Sequence, residues 1–117
     1  MQHKYGDFSS TQIKEHKKLI RNKIMFILRN VDPNTKNEFK TQNVDVHSAL
    51  TNLLYDVSGF NSIMNEPPEI VTVLNLLEEA RIALENKSDY TPDEFKVSAF
   101  RKLILDAGAE TKYIKEV

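Results

Sequence analysis

Three groups of residues in this 117-residue chain have the types and spacing that chemistry requires. Asp45-x-His47 offers two metal-ligand types with one residue between them. Glu78, Glu79 and Glu85, with Asp106 and Glu110, supply the carboxylates that a magnesium-dependent phosphoryl-transfer site would need. The stretch KEHKKLIRNKIMFILRN, residues 14 to 30, sets a run of cations against a block of apolar side chains.

The first two groups fall short of a site. Di-metal centres in helical bundles need Glu-x-x-His pairs on two helices. Here Glu15 and His16 are adjacent, and neither His3 nor His47 has a glutamate three residues before it. Asp45 is explained by a helix start, where an acid faces the positive end of the dipole, and His47 as its surface neighbour. Octahedral Mg²⁺ wants several carboxylates converging from two helices. Glu78 and Glu79 point about 100° apart on a helix, and Gly108 separates Asp106 from Glu110, so this group has the character of a solvated acidic face. There is no cysteine, which excludes disulfides, thiolate metal sites and cysteine nucleophiles. No G-x-G or G-K-[ST] loop is present to hold a phosphate. Ser, His and Asp residues occur in no motif that would bring them together. The expectation is a protein that is not an enzyme, with no cofactor and no bound metal.

The basic stretch carries more. On a helical wheel Lys14, Lys17, Lys18, Arg21 and Arg29 fall on one side, beside an apolar stripe of Ile13, Ile20, Ile24, Ile27, Leu28 and Val31. Such a flank can lie along phosphates, each contact adding salt-sensitive affinity. Only Asn22 and Arg29 have side chains suited to reading bases, and no helix-turn-helix spacing surrounds them. Lysines beside an apolar stripe also serve as snorkelling residues of a bundle helix. A second apolar feature lies off the stripe. Leu19 and Phe26, seven residues apart, share a bearing, and Met25 stands on another side. If that surplus face is open, it suits a protein partner or a second copy; the alternative is that the loop over 32–43 covers it with Phe39.

The elements that position these residues follow from periodicity. The first helix is predicted over 9–31, opened by Ser9 with Gln12 at capping-box spacing and closed before Pro33. The second is predicted over 44–64, with Val46, Leu50, Leu53, Val57, Phe60 and Met64 as its seam and a break favoured at Ser58-Gly59. Pro67-Pro68 starts a third helix over 68–86, burying Ile70, Val73, Leu74, Leu77, Ala80, Ala83 and Leu84. Thr91-Pro92-Asp93-Glu94 is a capping box for a fourth helix over 91–107, with Phe95, Ala99, Phe100, Leu103, Ile104 and Ala107 inward and its end at Gly108. Residues 1–8 are expected to form a flexible N-terminus and 109–117 a weakly structured tail. The fold class is therefore all-α, one domain built as an antiparallel bundle of four main helices.

Composition agrees with that class. Hydrophobic residues make up 40% and charged residues 28%, the balance of a globular chain. The longest apolar run, Ile24 to Leu28, is too short to span a bilayer. The polar start MQHKYGDFSS carries no secretory signal, so a cytoplasmic location is expected. Twelve Lys against four Arg, with abundant Asn, is the bias of AT-rich codons and points to a bacterium or its phage. The formal net charge is −1, yet residues 1–40 hold nine Lys/Arg against four Asp/Glu, and the remainder seven against thirteen. This asymmetry suits an anionic partner on the first helix, or contact between that helix and the acidic remainder.

The functional expectation is a binding protein that works through protein–protein contact, as a homodimer or with a heteropartner, in the manner of an inhibitor, regulator or adaptor. Leu19, Met25 and Phe26 would supply the apolar contact and Lys14, Lys18 and Arg21 its charged rim. The alternative is a nucleic-acid accessory protein using Lys14, Lys17, Lys18, Arg21 and Arg29. Membrane binding ranks last, because the apolar stripe has three partner helices to cover it.

Overall fold

The computed structural model describes residues 2–3, 6–7, 9–35 and 44–116. Phe39 and most of the loop expected to wrap the first helix lie outside them. Among the described residues five helices follow in order: α1 (Ser10–Val31), α2 (Val46–Ile63), α3 (Pro68–Asn86), α4 (Pro92–Lys96) and α5 (Ala99–Glu110), with a 3₁₀ turn over Thr111–Tyr113. Ahead of them, Gln2–His3 and Gly6–Asp7 pair antiparallel, Gln2 opposite Asp7. The helices form an all-α bundle, with α1 packed on α2 and α5, α2 on α3, and α3 most extensively on α5. No helix among the described residues is long and apolar enough to cross a membrane.

Local chemistry sets most boundaries. Ser9 and Gln12 exchange side-chain and backbone hydrogen bonds at the start of α1, and Thr91 and Glu94 do the same at α4. Asp45 caps α2, its carboxylate accepting from the N–H groups of His47 and Ser48. Those bonds, Ser48 first, hold its pKa below the usual carboxylate value. The helix therefore begins two residues later than expected. Asn65 and Glu66 turn the chain into α3 with φ of 64° and 57°, left-handed backbone that asparagine tolerates better than glutamate.

The buried set matches helical periodicity. Ile13, Ile20, Ile24, Ile27 and Val31 of α1 meet Leu50, Leu53, Val57 and Phe60 of α2, Ile70, Val73, Leu77, Ala80 and Leu84 of α3, and Phe100, Ile104 and Ala107 of α5 in one core. Leu28, Leu74, Ala83 and Leu103 are half-buried around it. Contacts along α1 and α2 run in opposite directions: His16 stacks on Phe60 at 4.6 Å, and Lys23 pairs with Asp56 at 2.7 Å.

Three expectations about helix limits are corrected. First, α2 runs unbroken through Ser58-Gly59. Val57 and Phe60 are buried on either side, and their packing outweighs the cost of one exposed glycine. A Cβ at Gly59 would meet nothing within 4 Å. Gly59→Ala should therefore raise stability by about 1 kcal/mol, read as a rise of about 4 °C in Tm.

Second, the fourth predicted helix is two helices. Ser98 ends α4 by donating its hydroxyl to the Phe95 carbonyl, and starts α5 by accepting from the Arg101 N–H. On one continuous helix Phe95 and Phe100 would point about 140° apart. The break aims both inward, at 2% and 0% exposure, and leaves Ala99 exposed instead of inward.

Third, α5 passes through Gly108 to Glu110, and the 3₁₀ turn beyond it is fastened by a 2.6 Å bond from the Thr111 hydroxyl to the Gly108 carbonyl. Gly108 sits where α5 meets α1; a Cβ there would lie 3.6 Å from Ile24 and 3.9 Å from Met25.

The Thr91 capping box also carries charge. The Lys87 ammonium, together with the Thr91 backbone and side chain, lowers the Glu94 pKa from 4.5 to about 2. A folded value below the unfolded one contributes stability above about pH 4.5 that is lost as the pH falls toward 2. Glu94→Gln should flatten that acid limb in a series of melting curves while leaving the neutral limb parallel to wild type. Because Glu94 also raises the Lys87 pKa, a contribution lost as the pH rises through that value, the variant should flatten the alkaline limb as well.

Candidate functional site

The cations predicted on one side of α1 do converge. Lys14, Lys17, Lys18, Arg21 and Arg29 line one wall of an open groove of about 610 Å³, with Asn22 and Met25 between them. From Lys14 to Arg29 the wall runs about 22 Å along the helix. The opposite wall is the C-terminal segment, through Thr111, Lys112 and Glu116. The sequence pattern predicts only a weakly structured tail there. Its anchor is Ile114, buried to 2% exposure in the core between polar neighbours. A single apolar residue among Lys, Tyr, Lys and Glu is too weak a pattern to call from sequence.

Lys17 differs from the other cations of the set. Its side chain is 13% exposed, and its ammonium donates to the Ile114 carbonyl at 2.6 Å and the Lys112 carbonyl at 3.4 Å. The Glu116 carboxylate lies 3.4 Å away. Lys17 thus ties the C-terminal segment to α1. Lys14, Lys18, Arg21 and Arg29 are exposed, and no carboxylate among the described residues pairs with them. Elsewhere Lys23, Arg81 and Lys87 are paired, with Asp56, with Glu78 and Glu85, and with Glu94.

The apolar trio is divided. Met25 sits in the basic groove. Phe26 faces α2, half-buried against the core in a crevice with Ala49, Asn52 and Leu53. Leu19, 48% exposed, lies further along that flank beside Gln12, Glu15 and His16. Leu19 and Phe26 therefore do not share a surface with Met25. Phe26→Asp would strike the α1–α2 packing as well as any contact with a partner.

The carboxylates considered for magnesium are dispersed. Glu78 and Glu85 clasp Arg81, whose guanidinium lowers the Glu78 pKa. Glu79 and Asp106 border a shallow depression with Ile82, Ala99, Lys102 and Leu103. Among the described residues no three His, Asp or Glu side chains gather as metal ligands. What the α1 groove can do is attract an anionic group and cover an apolar one over Met25. No family model, curated protein or solved structure shows significant similarity to this chain.

Proposed function

We propose that this is a cytoplasmic, non-enzymatic helical protein of a bacterium or phage that acts by binding another protein along the exposed face of α1. The observation that supports this reading is the placement of Met25 in a groove whose Lys14, Lys18, Arg21 and Arg29 have no ion-pair partner among the described residues. An apolar contact ringed by cations is the anatomy of a protein interface: the centre excludes water and the charged rim steers association. Leu19 and Phe26 are set round the helix, away from that groove.

A second reading is a nucleic-acid accessory role, favoured by the alignment of the same cations along one helix. A photo-crosslinking residue at Met25, in cells of the native host, separates the two, with Tyr55 on α2, 73% exposed, as the control position. Discrete protein adducts from position 25 and not from 55 are expected, and an adduct of twice the protein's own mass would make the partner a second copy. Nuclease-sensitive adducts alone would transfer the site to nucleic acid. An absence of adducts at position 25 would sink the protein-binding reading.

A further inference from the structure

The geometry points to an acidic stretch of polypeptide as the occupant of the groove. We infer that it lies beside Lys112–Glu116, its carboxylates on Lys14, Lys18, Arg21 and Arg29 and an apolar side chain over Met25. The inference rests on the protein-binding reading above and names the chemistry of the partner.

Charge complementarity is the first argument. Besides Lys17, four cations of α1 and Lys112 border the groove, and Glu116 is the single acidic residue of its lining. None of the five has an ion-pair partner among the described residues. Holding so many like charges together is unfavourable until counter-charges arrive.

The chain itself provides the second argument. Lys17 already takes up peptide carbonyls from Lys112 and Ile114 and a carboxylate from Glu116. This edge of α1 therefore holds a stretch of peptide beyond α5 that bears an acid, and the unpaired cations continue the same edge on either side of Lys17.

The third argument separates peptide from nucleic acid. The whole protein has a net charge of −1 and a pI near 6.3, whereas domains that bind nucleic acid through their field are basic overall. A long polyanion would also meet the acid-rich remainder of the surface. A short acidic segment seated in the groove responds mainly to charges within a Debye length, about 8 Å at physiological salt. Met25 adds a polarizable, adaptable contact suited to an aliphatic side chain and without a use at a phosphate.

The test titrates labelled probes against the full-length protein by fluorescence anisotropy. The probes are a short peptide of alternating Asp and Glu around a central Leu, the same peptide with central Gly, and an oligothymidylate of equal charge. Amide shifts on the labelled protein locate the binding. The Leu peptide is expected to bind most tightly, to weaken as salt rises, and to shift Asn22, Met25 and Lys112.

Lys18→Glu with Arg21→Glu should weaken it by about tenfold or more, with helical circular dichroism unchanged. Lys14→Glu with Arg29→Glu provides a second exposed pair should the first fail to fold. Tighter binding of oligothymidylate, failure of the Leu peptide to bind, or shifts mapping away from α1 would overturn the inference. Protein adducts at position 25 combined with no peptide binding would remove the acidic class and keep the protein-binding reading. Peptide binding with no protein adduct in cells would leave the groove's chemistry standing and remove that reading.

Discussion

Phe100→Ala should lower the stability of the protein by about 3–5 kcal/mol, the cost of deleting a fully buried aromatic side chain and leaving part of its volume empty. Phe100 has 0% exposure and sits near the start of α5, where it shares a cleft with Ala83 of α3. The α3–α5 contact is the most extensive in the bundle. A domain of this size is stable by about 5–15 kcal/mol in total, so the loss is a large share of the whole. It corresponds to a fall in Tm of roughly 10–25 °C. Val97, three residues earlier and 83% exposed, is the control: Val97→Ala should stay within about 0.5 kcal/mol of wild type. Equal behaviour of the two variants in denaturant melts would mean that α5 is not packed on α3.

The second large effect is local. Lys17→Met keeps the apolar stem but removes the ammonium that holds the carbonyls of Lys112 and Ile114. Hydrogen bonds to charged groups contribute about 1.5–3 kcal/mol. The loss should fall on the segment from Lys112 to Glu116, because the buried core of α1, α2 and α3 is untouched. Hydrogen exchange is the measurement: amides of that segment should exchange about ten- to a hundredfold faster, while those of α2 and α3 keep their protection. Unchanged protection there would show that Ile114 alone holds the segment. Since that segment is one wall of the groove, the same variant should also loosen the site without altering any of its exposed cations.

These two variants mark the division between what the sequence and what the tertiary structure determined. The Ser9–Gln12 and Thr91–Glu94 capping boxes are legible because every group they use lies within four residues. The isoleucine stripe of α1 is legible because a 3.6-residue period survives whatever it packs against. The cationic side of α1 is legible for the same reason, and so is the bundle class.

Features decided by packing are not legible. Gly59 has a helix-breaking propensity of only about 1 kcal/mol, which the burial of Val57 and Phe60 overrides. The break at Ser98 lets Phe95 and Phe100 enter one core, and no local pattern between 91 and 107 states that both must do so. Leu19 and Phe26 share a bearing on the wheel, yet only the position of α2 decides that Phe26 is half-covered and Leu19 is not. The groove itself has one wall written in the periodicity of α1. Its other wall arrives from about ninety-five residues further along the chain, through the anchoring of Ile114 and the bond from Lys17 to its carbonyl. Periodicity reports which face of one helix is basic; only contacts between distant segments decide what stands opposite that face.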